Sequence, residues 1–183
     1  MTTEHPGIPD TSPVPPETKD WTVVLDRGCP DCGFDPDYDV TSTGERARAT
    51  VEPWAAVLDR LGMTDRPGPG TWSPLEYACH VRDLCRVFRE RLRLMLDEQD
   101  PVFADWDQDA AAVEGQYNLQ DPYEVSGELA QEVRATADAF DAVTGEQWAR
   151  TGRRGDGKDF TVASFAAYFL HDVEHHLRVD VRG

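Results

Sequence analysis

The chain has 183 residues, 39% hydrophobic and 9% aromatic, which suits one domain with a sizeable core and excludes global disorder. Lys and Arg total 18 against 35 Asp and Glu, so a formal charge of −17 makes nucleic acid and anionic membrane poor partners by simple repulsion. No apolar run approaches the roughly 18 residues of a membrane span, and the first twenty residues lack a signal-peptide pattern, so a cytoplasmic protein is expected.

In chain order, residues 1–20 carry five Pro and little that is apolar, and read as a flexible leader. Residues 21–42 form an N-terminal arm. Within it Trp21–Leu25 is a short β-branched run, a strand or packed arm, that ends at the turn residues Arg27-Gly28-Cys29-Pro30. The domain proper is expected over 43–183. Thr41-Ser42-Thr43 with Glu45 begins a first helix running from about residue 43 to Leu61, closed by Gly62. Ser73-Pro74-Leu75-Glu76 gives an N-cap, a first-turn Pro and a capping Glu, so the second helix runs from Pro74 to about Glu98. Asp100–Tyr123 is acidic, aromatic and broken by Gly115 and Pro122, a long connection holding one short helix. Leu129, Val133, Ala137, Phe140 and Val143 recur at helical spacing and place a third helix over Ser126–Val143. Arg153–Asp159 is a charged turn, and Phe165, Phe169, Val173 and Leu177 mark a fourth helix over Thr161–Val181. Four helices with a long crossover after the second predict an all-α four-helix bundle.

Metal sites in such bundles are built from inward side chains on facing helices. His80 lies on the second predicted helix and His171, His175 and His176 on the fourth. His171 and His175 are four residues apart, which puts both imidazoles on one face where they can share an ion, with His80 as third ligand. Three imidazoles with an open position describe a catalytic divalent-metal site. At about 100° per residue, His176 falls nearer the apolar stripe than this pair does, and reads as a core or boundary residue.

The segment Trp72-Ser73-Pro74-Leu75-Glu76-Tyr77-Ala78-Cys79-His80-Val81-Arg82-Asp83, with Tyr168-Phe169-Leu170-His171-Asp172-Val173-Glu174-His175-His176-Leu177, resembles the DinB/YfiT-like superfamily, over about residues 43–182. That superfamily includes mycothiol-dependent maleylpyruvate isomerases and mycothiol or bacillithiol S-transferases. The resemblance implies a four-helix bundle whose metal ligands are a His from the second helix and a His-x-x-x-His from the fourth, matched here by His80, His171 and His175. It further implies a low-molecular-weight thiol such as mycothiol as cofactor, attacking an electrophilic small molecule in a transferase or isomerase reaction.

Zinc is the expected ion, with Ni, Mn or Fe as alternatives, and coordination to such an ion lowers a thiol's pKa until the thiolate dominates. The same ion would activate water in a hydrolase, and a non-catalytic, metal-binding bundle of interaction or stress-response type is the rival reading. Glu76 and Asp83 flank His80 by one turn and are candidates to orient it. Asp107, Asn118 and Arg150 are candidate substrate contacts, the last for a carboxylate. Cys29-Pro30-Asp31-Cys32-Gly33 has the knuckle form of many zinc sites but needs two further ligands. A second metal site completed from elsewhere, a redox dithiol and a turn with two buried thiols all remain open for Cys29 and Cys32. Cys79 and Cys85 read as core residues. An exposed apolar helix face would support a homodimer, though the first helix offers no clear stripe.

Overall fold

In a computed structural model, which describes residues 9–182, the longest helix begins where its capping signals lie. Residues 1–8 of the expected leader, His5 included, and Gly183 lie outside the described residues. That helix, α4, is started by its own sequence: Ser73 Oγ accepts from Glu76 N at 3.2 Å, the Glu76 carboxylate accepts from Ser73 N at 2.8 Å, and Pro74 occupies the first turn. It spans Pro74–Asp97.

Before it come α1 (Val24–Arg27), α2 (Thr43–Arg48) and α3 (Val51–Leu58). The single first helix expected over 43–61 is thus divided at Ala49-Thr50. Pro53 supplies the reason, since it has no N–H to bond the Ala49 carbonyl and its ring crowds that carbonyl, so it is accommodated only in the first turn of a new helix. Of the two alternatives for the Trp21–Leu25 run, it is the packed arm and not a strand, with α1 and Trp21 against the helix that carries His171. Asp20 caps a 3₁₀ turn at Trp21–Val23 that continues into α1.

After α4 follow β1 (Val102–Phe103), α5 (Gln108–Glu114), α6 (Pro122–Asp141), β2 (Thr151–Arg154), β3 (Asp159–Thr161) and α7 (Val162–His175). Helix α6 starts earlier than its apolar spacing indicates, because Asp121 accepts from Tyr123 N and Glu124 N and Pro122 fits the first turn. The expected charged turn at Arg153–Asp159 is the tip of a hairpin, with Gly157 at φ +91°. Its β2 strand pairs antiparallel with β3 and parallel with β1, giving a minor sheet in the order β1-β2-β3 beside the bundle.

The bundle is formed by α2 with α3, α4, α6 and α7. Helix α4 packs on α6 and α7, and α2 packs on the same two. Phe88, Phe140, Phe165 and Phe169 fill its centre, with Phe88 and Phe165 stacked at 4.4 Å and Phe140 and Phe169 at 5.2 Å. Cys79 and Cys85 are buried in this core. Among the described residues no helix is long and apolar enough to cross a membrane.

Helix α7 passes into one π turn, His176–Asp180. That turn, the first half of α4, Trp21 and residues 14–17 enclose one end of the bundle, and this end holds the histidines. Residues 9–20 contain no helix or strand and touch the body through Asn118 Nδ2, which donates to Asp10 O at 2.8 Å, and Arg66, which donates to Ser12 O at 2.8 Å.

Candidate metal centre

Helix α7 presents two pairs of residues four apart, His171 with His175 and Asp172 with His176, on faces about 100° from each other. The two pairs go to different partners. Asp172 and His176 meet His80 of α4, and the three donor atoms lie within 4.8 Å of one another. His171 and His175 instead meet Cys29 and Cys32, again within 4.8 Å. The expected grouping of His80 with His171 and His175 is therefore redistributed over two clusters.

The physical reason is which face of α7 looks toward α4. His176, near the apolar stripe, points inward to His80, with ring centroids 5.0 Å apart, whereas His171 and His175 point toward the N-terminal arm and Trp21. The inward tilt that marked His176 as a core residue is what makes it available to α4. Asp172 stands at the same four-residue spacing from His176, a signal that a search for histidines alone does not pick up.

In the first cluster, His176 Nε2 lies 3.4 Å from Asp172 Oδ1. Two donors bound at about 2.0–2.1 Å in tetrahedral geometry are separated by roughly this distance. The other ring nitrogen, His176 Nδ1, is 2.7 Å from Asp180 Oδ2, the carboxylate that fixes the ring's orientation. His80 is 1% exposed, and its Nδ1 is buried without a hydrogen-bond partner. Its ring stacks on Trp106 at 5.4 Å and tilts against Trp72 at 5.3 Å. Burial, reinforced by the neighbouring His176, pushes the His80 pKa down to about 3, so this imidazole is neutral and free to donate a lone pair. Burial opposes protonation of His176 too, but its hydrogen bonds to Asp172 and Asp180 prevail and raise it to about 9. Two imidazoles and a carboxylate, with one ring held by an outer carboxylate, fit a divalent ion with coordination positions left open.

Asp172 and His176 border a cavity of about 300 Å³ that is walled by Trp21, Trp72, Tyr77 and Tyr168 and reached also by His171 and His175. Glu17, Asp109 and Asp180 also line it, and among the described residues no Lys or Arg does.

The other candidate residues lie around this end in different roles. Glu76 completes the α4 cap and pairs with Arg66, whose Nε donates at 2.9 Å. Asp83 accepts from Arg82, from Arg86 and from the Tyr117 hydroxyl at 2.6 Å. Neither carboxylate hydrogen-bonds His80. Asp107 caps α5 by accepting from Ala110 N at 2.9 Å. Asn118 is buried, accepts from Ser73 Oγ at 2.6 Å and donates to Asp10 O and Thr64 O. Both border a neighbouring cavity of about 680 Å³, across Trp72 and Asp109 from the first. Arg150 donates from Nε to Met95 O at 2.6 Å and also binds Glu98 O, closing the C-terminus of α4 away from either cavity. All four cysteines are buried, free thiols.

Comparison with curated proteins finds no match. Among solved structures the chain is similar to YfiT from Bacillus subtilis, described as a probable metal-dependent hydrolase with an unusual four-helix bundle topology. The two share 17% identity and a TM-score of 0.65 over 78% of this chain and 83% of that one, a likeness of fold. The sequence pattern of the DinB superfamily matches residues 43–179, which takes in the whole four-helix bundle with His80, Asp172 and His176. The chain belongs to the DinB superfamily.

Proposed function

We infer that this protein is a metal-dependent enzyme whose ion is held by His80, Asp172 and His176, and that its nucleophile is a low-molecular-weight thiol of the mycothiol type. The observation that carries this reading is the convergence of those three donors from α4 and α7 beside an aromatic cavity. A divalent ion supplies Lewis acidity there, lowering the pKa of a thiol or water that joins it. The protein's own residues do the rest. Neutral His80 is wedged between Trp72 and Trp106, which keep bulk water from its ring. Asp180 would hold the proton at His176 Nδ1, so that Nε2, 3.4 Å from Asp172 Oδ1, gives its lone pair to the ion once its own proton has left.

Charge narrows the second substrate. A wall of carboxylates without Lys or Arg disfavours a carboxylate-bearing electrophile, so the reading is a neutral or cationic electrophile attacked to form a thioether. Zinc-loaded protein is to be incubated with mycothiol and a matched pair of neutral and anionic electrophiles, with product followed by mass spectrometry. Thiol-dependent turnover of the neutral member, lost in Asp172→Asn, is expected. Turnover that continues without thiol would identify water as the nucleophile and the protein as a hydrolase. Metal binding without turnover of either kind would favour the non-catalytic bundle.

A further inference from the structure

The second cluster has no part in that chemistry, and its four donors differ in kind from the first. Cys29 and Cys32 sit on a tight knuckle in which Gly33 N donates to Cys29 O at 2.8 Å and Cys29 N donates to Phe34 O at 2.9 Å. Gly28 and Gly33 flank it at φ +68° and +75°. This turn aims both thiols at the outer face of α7, where Cys29 Sγ lies 3.5 Å from His175 Nδ1. A thiolate at about 2.3 Å and an imidazole at about 2.0–2.1 Å on one tetrahedral zinc ion are separated by roughly that distance. The two histidine rings are 5.0 Å apart, and all four donors approach within 4.8 Å of one another.

Burial supplies an independent observation. His171 is 1% exposed, and both of its ring nitrogens are buried with no hydrogen-bond partner. A buried imidazole commonly finds at least one partner, because a polar nitrogen taken out of water without one loses its hydration and gains nothing in return. The rings of His175, Phe34 and Trp21 pack around His171 at 5.0, 5.4 and 5.5 Å, none hydrogen-bonds it, and the ligand atoms of this cluster lie beside it.

We propose that Cys29, Cys32, His171 and His175 bind one zinc ion in a closed Cys₂His₂ site that fastens the N-terminal arm to α7. Its spacing, C-x₂-C with H-x₃-H, is that of structural zinc sites, although 138 residues separate Cys32 from His171. On binding, both thiols release their protons to solvent, and two thiolates with two neutral imidazoles cancel the dication. The product is an uncharged group, which suits an interior position. With four protein ligands there is no position for substrate, so the role is structural. The arm it holds contributes Trp21 to the wall of the same cavity that His171, His175, Asp172 and His176 border.

Cobalt(II) substitution of the full-length protein tests this, because only thiolate ligation gives intense sulfur-to-cobalt charge-transfer absorption. The band is expected in the wild type and in His80→Ala, and is expected to vanish in Cys32→Ser. Zinc content should fall by one ion per chain in Cys32→Ser and in His171→Ala. Absence of the band from the cobalt-loaded wild type, or undiminished zinc in Cys32→Ser, overturns the site. Should Cys32→Ser fail to fold, alkylation of the wild type decides: zinc must protect Cys29 and Cys32 and a chelator must expose them. Equal alkylation in both conditions, or a Cys29–Cys32 disulfide in zinc-replete protein, would sink the proposal. Retention of the band in His80→Ala keeps this test separate from the fate of the site at His80.

Discussion

His80 is buried and His176 partly buried, yet the two imidazoles stand on opposite sides of neutrality, and this difference can be measured in metal-free protein. The folded pKa of His176, about 9, lies above the unfolded value near 6.5, so its stabilising contribution is complete below pH 6.5 and is lost as pH rises through 9. Burial instead depresses His80 to about 3 and His171 to about 4, so the unfolded chain takes up these protons first and stability falls as pH drops below 6.5. Thermal melts of chelated protein should show both arms, and His176→Gln should flatten the alkaline arm while leaving the acid one. An alkaline arm unchanged in His176→Gln would mean that Asp172 and Asp180 do not hold that proton. For the metal-loaded protein, Asp172→Asn should lower occupancy of the His80 site by at least tenfold, whereas His171→Ala should leave that ion in place. Site-resolved metal counting checks both.

At the scale of elements, stability concentrates where a helix end and an ion pair coincide. Arg66 and Glu76 have side chains only 7% and 4% exposed, and Glu76 also closes the α4 cap. Arg66→Ala leaves that carboxylate buried without its partner and should cost about 3–5 kcal/mol in urea denaturation. Gly28 sits at φ +68° and ψ −169°, a region open essentially to glycine, and a Cβ there would meet Phe34 O at 2.5 Å. Gly28→Ala should therefore disrupt the knuckle, at a cost of about 1–3 kcal/mol from the backbone alone. The start of α4 was legible because Ser73, Pro74 and Glu76 act within one turn. The break before α3 was equally local, but Pro53 lies inside an otherwise helical pattern and reads as tolerated. Strands β1 and β2 left no signature, since Thr151-Gly152-Arg153-Arg154 has no apolar alternation. Gly152 earns its place by contact, as a Cβ there would come within 2.8 Å of Met95 Cγ. The histidines announced a metal-binding helix, while their division into two ligand sets depended on the position of the arm relative to α7, a contact across more than 130 residues that spacing cannot encode.

Over the whole molecule, a charge of −17 gives a field that attracts cations, so metal capture should be fast at low ionic strength and slow as salt screens it. Stopped-flow uptake of cobalt at increasing salt is the check, and a rate indifferent to salt would remove steering from the account. The two donor sets also differ in softness. A pair of thiolates selects zinc, whereas two imidazoles and a carboxylate accept several first-row ions, so one chain can carry two different metals. The alternation of ligands along α7 has a consequence for how this segment can vary through descent. Inserting or deleting one residue between Asp172 and His175 would turn His175 and His176 by about 100° relative to His171 and Asp172, parting both pairs together. Point substitutions here are felt by one cluster at a time, but a change of length is felt by both. The stretch from 172 to 175 is thus closed to insertions and deletions in any lineage that retains either cluster.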